Sequence, residues 1–385
     1  MIGKLQLKFF GTNERDSSIS NKIEIVKKQI DKLNFYLIIA GTKTSRIDGI
    51  SAVGMESKSR VKTTLADAEF LLYGPTADFR YELPLLKAGV TPALISHVCA
   101  KLINANVVVV PIGIGQAPYF NHLKVEEENS MPSECLSTGK AMPINRVSTL
   151  FKKGFAIGFS SENPLFISES VPGGTTTAQA VMEGIGFDVS HLIGSSLIKP
   201  PRKLKRKIID MGIANANLTE SCDSIDIISS LGDPFQAFCL GLLIGARKGD
   251  QTVILSGGSQ MIALLALALE YINSSDKKMF AERVFISTTN WLVRDNKLNI
   301  LLNLVARKHN VSLIGIGSCL NFRSSRYNQL NVFEKGYVKE GVGAGGFSML
   351  AYLKGYDYED IISNCEYNLE RMLEVSQIVR SEFKK

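Results

Sequence analysis

Leu165-Phe-Ile-Ser-Glu-Ser-Val-Pro-Gly-Gly-Thr-Thr-Thr-Ala178 passes from an apolar run through a carboxylate and a Pro-Gly-Gly turn into three threonines. Gln179-Ala-Val-Met-Glu183 then continues as a helix. The order reads as a short buried strand that ends at Glu169, a glycine turn and a helix start. Such a junction is built for an anion. Glycines at Gly173 and Gly174 let backbone N–H groups face inward, and the first helical turn adds free donors and the positive end of its dipole. Thr175, Thr176 and Thr177 add hydroxyls, one of them as an N-cap. The functional reading is a cradle for a phosphate monoester; the same residues serve equally as an ordinary βα turn with a good cap.

Outward from this stretch the pattern repeats. Phe35-Tyr-Leu-Ile-Ile-Ala40 reads as a strand closed by Gly41-Thr-Lys-Thr, and Glu69-Phe-Leu-Leu-Tyr73 as a second that ends at Gly74-Pro75. Asn106-Val-Val-Val-Val-Pro111, β-branched and apolar on both faces, is expected as a central parallel strand before the Gly113-Ile-Gly turn. Asp233-Pro234 starts a helix that runs to Arg247, with Asp as N-cap and Pro in the first turn. Strands at 251–255, 283–287 and 311–315 alternate with helices at 260–271 and about 297–309, whereas 208–212 is ambiguous between helix and strand. Helices follow at 347–353 and about 358–382, the last with an apolar face of Ile361, Cys365, Leu369, Met372 and Val379 suited to core packing. The alternation predicts an α/β fold, a mostly parallel sheet with helices on both faces in a Rossmann-like three-layer arrangement. A smaller helical subdomain from the chain termini completes it. The expected organisation is one unit over 1–385, with a sheet-and-helix core at about 35–318 and a site loop with C-terminal helices at about 319–385. Ligands of such sheets sit at the carboxyl ends of the strands, where all these glycine turns fall.

Composition narrows the classes. Of 385 residues, 45% are hydrophobic and 21% charged, as in ordinary globular proteins. The net charge of +7 comes with no RNP-like, zinc-finger or helix-turn-helix signature, so nucleic acid is not an expected partner. The dense basic run, Lys199-Pro-Pro-Arg-Lys-Leu-Lys-Arg-Lys207, reads first as solvated surface, with Lys199 and Lys203 kept as phosphate neighbours. Six scattered cysteines lack C-x-x-C or His spacing, which points to a reduced, cytoplasmic setting and to no metal site. No secretory leader is read at the N-terminus, and the apolar stretch Met261–Leu269 is too short for a membrane span.

Tyr337-Val-Lys-Glu-Gly-Val-Gly-Ala-Gly-Gly346 is a second glycine-dense helix entry, with Glu340 immediately before it. A carboxylate so placed suits a general base tuned by partial burial, and Gly341 and Gly343 leave room for a flat ligand beside it. The alternative is a glycine-rich helix entry with an exposed Glu.

Together the two elements resemble a known family. Glu169 to Thr176 is similar to the E-x-G-I-G-N-T-T stretch of nicotinate-nucleotide–dimethylbenzimidazole phosphoribosyltransferases, which activate the lower ligand of cobalamin. Lys339-Glu-Gly-Val-Gly-Ala344 resembles their L-G-E-G-T-G-A motif. The nearer likeness is to a divergent archaeal and cyanobacterial branch that shares G-I-S-A (49–52), D-A-E-x-L-L-Y-G (67–74), E-S-V-P-G-G-T-T-T-A (169–178) and K-E-G-V-G-A-G-G (339–346). Departures from the characterised enzymes are Val171 and Gly174 in the first motif, Ser256-Gly257 in place of Asp-Gly, and Ser287-Thr-Thr-Asn-Trp291 in place of a His- and Glu-bearing segment.

The resemblance implies transfer of the 5-phosphoribosyl group of nicotinate mononucleotide to an aromatic base, with release of nicotinate and no cofactor. It implies Glu340 as base and a homodimeric assembly. Gly173, Gly174, Thr175, Thr176, Thr177, Gly341 and Gly343 are assigned to the phosphate. Glu169 is assigned to the ribose or to the developing oxocarbenium charge. A non-catalytic nicotinate mononucleotide sensor or partner subunit is the alternative. A Rossmann dehydrogenase and a P-loop NTPase are set aside, because neither G-x-G-x-x-G at the first strand nor G-x-x-x-x-G-K-[ST] is present.

Overall fold

A computed structural model describes residues 6–12, 18–50, 60–83, 89–195, 197 and 199–382. Seven strands form one sheet: β1 (Leu7–Gly11), β2 (Asn34–Ala40), β3 (Val107–Ile112), β4 (Leu165–Ser170), β5 (Val253–Ser256), β6 (Val284–Thr288) and β7 (Ile314–Ser318). Their order is β1-β7-β6-β5-β4-β2-β3. β1 runs antiparallel to β7 and every other pair is parallel. β4 lies inside the sheet, level with β2 at Ile38↔Glu169 and with β5 at Leu165↔Val253.

Two apolar layers cover the sheet. On one face Ile38, Ile167, Leu255 and Ile286 meet the Ile144–Ser160, Gly174–Gly184, Pro234–Lys248, Ser259–Tyr271 and Lys297–His309 helices. On the other, Phe35, Leu37, Phe166, Ile254 and Phe285 meet the Ser18–Gln29, Arg60–Tyr73, Ala93–Leu102, Ala344–Lys354 and Tyr358–Glu382 helices. Odd and even strand residues divide between the layers as the pleat requires. The expected α/β three-layer fold is what forms. In the C-terminal helix Ile361, Cys365 and Leu369 are buried in the second layer, the core role read from its apolar face.

Three sequence expectations are corrected. Glu69–Tyr73 is not a strand but the end of the Arg60–Tyr73 helix. Its apolar residues continue the helical stripe of Leu65, Ala66 and Ala68, and buried Glu69 accepts from the Arg80 and Tyr81 N–H groups at 2.9 and 2.8 Å. β3 lies at the sheet edge, not its centre. An edge tolerates Pro111, and the chain near His122 covers β3 through a bridge to Val109. β7 begins three residues later than 311–315, at Ile314, and runs through Gly315 and Gly317, where a side chain at 315 would strike the Phe10 ring. Residues 208–212 are helical, within Arg202–Ala216. β1 is an element the sequence reading does not contain. Of the motif at 49–52, residues 51 and 52 lie outside the described residues.

Candidate active site

The site is assembled at the carboxyl edge of β4, β5 and β6. β4 ends through Glu169 and Ser170, and Gly173 then takes a left-handed conformation (φ 81°) that turns the chain into the Gly174–Gly184 helix. Thr176 N–H bonds the Gly173 carbonyl at 2.8 Å, whereas the N–H groups of Gly173 and Thr175 have no protein acceptor among the described residues. The helix therefore presents unfilled donors at its positive end. Gly174 leaves room for the Gln260 amide, which a Cβ there would strike at 2.0 Å.

The three threonines divide. Thr175 Oγ1 accepts from Lys205 Nζ at 3.0 Å. Thr176 Oγ1 is buried without a partner. Thr177 Oγ1 donates to Asp233 Oδ2 at 2.5 Å, so its hydroxyl is already spent on the fold. Asp233 also caps the Pro234–Lys248 helix in a reciprocal box with Gln236, as the Asp-Pro signal promised.

Lys205 is the residue the sequence reading missed. It is 2% exposed, donates to Thr175 Oγ1 and to the Gly194 carbonyl, each at 3.0 Å, and has no carboxylate partner among the described residues. Burial alone pushes its ammonium down to about 7. The signal lay in its spacing: Lys205 shares the buried stripe of Ile208, Ile209 and Gly212 once 202–216 is read as a helix. Lys199 and Lys203, the lysines singled out instead, are exposed.

The second glycine element reaches the same edge. Gly343, left-handed at φ 78°, caps the Ala344–Lys354 helix, and Val342 N–H donates to the Glu169 carbonyl at 2.9 Å. This ties the two motifs together. Gly345 and Gly346 serve close approach: a Cβ at Gly345 would lie 2.0 Å from the Thr288 carbonyl carbon, and one at Gly346 2.2 Å from Ser256 Oγ. Of the four glycines, only Gly341 has open space on its Cβ side up to Pro92 at 3.7 Å. The others admit the sheet, not a flat ligand. Val338 (φ 44°) and Val342 (φ 54°) flank Glu340 in the left-handed region, which β-branched residues resist.

Glu340 itself is enclosed by donors. Its Oε2 accepts from Thr288 Oγ1 at 2.9 Å and Thr289 N–H at 2.8 Å; its Oε1 accepts from Gly345 N–H at 3.1 Å and Gly341 N–H at 3.2 Å. Burial pushes its carboxyl up to about 6, and these four bonds hold it from going higher. Glu169, 7% exposed, accepts from Val171 N–H and Gln260 Nε2, both at 2.9 Å. Burial, with Asp233 and Glu340 close by, pushes it up to about 8. Asp67 accepts from Thr91 and Ser170 hydroxyls at 2.8 and 2.9 Å, and burial lifts it to about 6. Burial lifts Asp233 to about 6 as well. No group of three or more His, Cys, Asp or Glu with metal-holding geometry occurs among the described residues.

A buried cation faces an unfilled helix terminus, and buried carboxylates of raised pKa stand at the same sheet edge. On a doubly wound sheet ligands sit at the strand ends, and this combination suits an anionic one. The chain belongs to the phosphoribosyltransferase family, whose profile matches residues 91–304, more than half of its length. That match takes in Glu169 and Lys205 and stops short of Glu340. Among curated relatives, a UPF0284 protein of Prochlorococcus marinus subsp. pastoris is 58% identical over 97% of both chains. One from Gloeothece citriformis is 33% identical over 89% of this chain and 92% of its own. Among solved structures, CobT from Thermus thermophilus aligns with TM-score 0.54 at 12% identity, over 92% of each chain. A second structure, nicotinate-nucleotide-dimethylbenzimidazole phosphoribosyltransferase from the same organism, gives 0.51 at 12% identity over 92% of this chain and 96% of its own. At that identity the likeness is one of fold. Among the described residues no helix is long and apolar enough to cross a membrane.

Proposed function

We propose that the protein transfers the 5-phosphoribosyl group of nicotinate mononucleotide to a ring nitrogen of an aromatic base and releases nicotinate. The observation that carries this reading is Lys205: a buried ammonium that has no counter-ion among the described residues, 3.0 Å from Thr175 Oγ1 at a helix terminus with unfilled N–H groups. An uncompensated buried cation calls for an anion, and a phosphate monoester satisfies both it and the helix. In this reading Gly173, Thr175 and Thr176 hold the phosphate with Lys205. Gly174, Thr177 and Gly341 support from behind, since their donors are already bonded to the Val171 carbonyl, Asp233 and Glu340.

The chemistry asks for positioning more than force. The pyridinium nitrogen leaves C1 of the ribose with the bonding electron pair and departs as neutral pyridine. The acceptor nitrogen supplies the new bond, and its proton passes to Glu340. Glu169 stands where charge on the ribose develops. Its protonated form gives little electrostatic help, so its contribution grows as pH rises through about 8.

One observation favours a second reading, a non-catalytic mononucleotide binder: all four donors around Glu340 are already satisfied by it, as in a structural carboxylate. Purified protein incubated with nicotinate mononucleotide and a panel of bases, with free nicotinate followed, separates the two. Base-dependent release that is lost in Glu340→Gln, with mononucleotide affinity retained, supports the transferase. Binding without release from any base leaves the binder. A homodimer is the assembly this reading expects, and sedimentation measures it.

A further inference from the structure

Asn290 follows β6 at the same edge and has no role in the scheme above. It is 3% exposed, its Oδ1 is fully covered, and its carboxamide makes no hydrogen bond among the described residues. Buried amides are almost always paired, and leaving one unpaired is strongly unfavourable. Nor is the residue free to relax. On one side Thr289 donates its N–H to Glu340 Oε2 at 2.8 Å and its hydroxyl to the Lys339 carbonyl at 2.5 Å. On the other, Trp291 stacks on Phe333 and Phe322 (4.8 and 5.7 Å between centroids) and donates Nε1–H to Glu334 at 2.7 Å. Asn290 thus directly follows the two residues that hold Glu340, since Thr288 Oγ1 and Thr289 N–H both donate to Glu340 Oε2.

We infer that Asn290 reads the acceptor base, and that this base carries an N–H donor beside a ring-nitrogen acceptor, the edge of an aminated nitrogen heteroaromatic. The inference rests on the transferase reading for the word acceptor; the base site itself does not depend on turnover. A carboxamide offers one acceptor and one donor side by side, the complement of an amino-azine edge. A base with only C–H or methyl groups at that edge leaves the amide unpaired and is rejected for that reason. Entry of the base has to displace what now covers Oδ1. The segment packed on Thr289 is the one held strained at Val338 and Val342, so it is the part with least to lose by moving.

The test uses adenine and purine, which differ by one amino group. Their binding to the full chain is measured by calorimetry, without and with nicotinate mononucleotide, and nicotinate release is followed separately. Adenine is expected to bind about 10- to 100-fold tighter than purine. Asn290→Leu is expected to bring the two within about threefold while mononucleotide affinity is unchanged. Asn290→Ser, smaller and polar, covers the case in which the leucine variant does not fold, with the same expected loss. Equal binding of the two bases by the unaltered protein overturns the inference, and so does discrimination that survives in a folded variant. Discrimination that depends on Asn290 with no nicotinate release keeps the base site and sinks the transferase; release without discrimination does the reverse.

Discussion

Lys205→Met should make the protein more stable at neutral pH while abolishing its hold on phosphate. The ammonium sits at about 7 in the fold against an ordinary 10.5 in the unfolded chain. Below pH 7 both states are protonated and the full gap, roughly 5 kcal/mol, opposes folding. As pH rises from about 7 to 10.5 the unfolded chain alone still holds the proton, so the penalty shrinks to nothing. Methionine fills the same space without the charge but forfeits the bonds to Thr175 Oγ1 and the Gly194 carbonyl, roughly 1 kcal/mol each. The variant is then favoured by about 3 kcal/mol at pH 6.5, and the two proteins become equal near pH 9, by the same linkage. Urea unfolding of both proteins at pH 6.5, 8 and 10 reads the difference directly. Adding nicotinate mononucleotide at about a hundred times its Kd should raise the unaltered protein by about 2.7 kcal/mol and leave the variant where it was. A variant less stable at pH 6.5, or a difference that does not change with pH, would refute the placement of an uncompensated cation at this helix terminus.

Glu169→Gln probes the opposite sign. A carboxyl raised from 4.5 to about 8 opposes folding increasingly as pH climbs through that window, so the glutamine variant should gain on the unaltered protein between pH 5 and 8 in the same urea assay. Thr288→Val removes one donor from Glu340 and should move the acid limb of nicotinate release, expected near pH 6, upward by about one pH unit. At Val342 (φ 54°) the usual preference should invert: Val342→Gly should unfold at higher urea than Val342→Ala, by roughly 1 kcal/mol, since both lose the side chain and only alanine keeps the left-handed strain. Gly345→Ala forces a methyl to within 2.0 Å of the Thr288 backbone and should fail to give folded protein by circular dichroism.

Most of the sheet was legible because its strands are short apolar runs bounded by glycine, and the two helix entries because their motifs are dense. What escaped did so for local physical reasons. Glu69–Tyr73 looked like a strand because four apolar residues stand together. Only the helix's continuation through Leu65 and Ala68 resolves it, and only its partner at residues 80 and 81 explains the buried Glu69. β3 read as central because both its faces are apolar, yet that pattern is equally met by an edge strand roofed by the chain at His122. The glycines after Glu340 were legible as close approach, but what approaches is the sheet backbone, and one sequence cannot name the atom on the other side. The basic run read first as solvated surface, and its buried member, Lys205, stands two residues from Lys203, because the choice between them is one of helical phase.

Buried side-chain atoms without partners occur in several places, among them Gln29, Ser133 and His309, but five exceptions to good folding practice gather in one region. A lysine is buried without a counter-ion at 205, two valines hold positive φ at 338 and 342, an amide is buried unpaired at 290, and a hydroxyl is buried unpaired at 176. They lie at the carboxyl edge of β4 to β6 or on segments bonded to it, Val338 through its neighbour Lys339, whose carbonyl accepts from Thr289. Each opposes folding; among the described residues Lys205 has no carboxylate, and the Asn290 carboxamide and Thr176 hydroxyl have no hydrogen-bond partner. A sequence free to optimise stability alone would remove them with single substitutions such as Lys205→Met or Val342→Gly. Their coincidence at one edge is the expected mark of a ligand site, where groups wait for partners that arrive from solution. Glu340 differs from these neighbours. With four donors it is the best satisfied of the site's carboxylates, so whatever it contributes to chemistry must begin with the loss of one of those bonds. Thr288, whose hydroxyl can turn to another acceptor without moving the backbone, is the donor best able to let go.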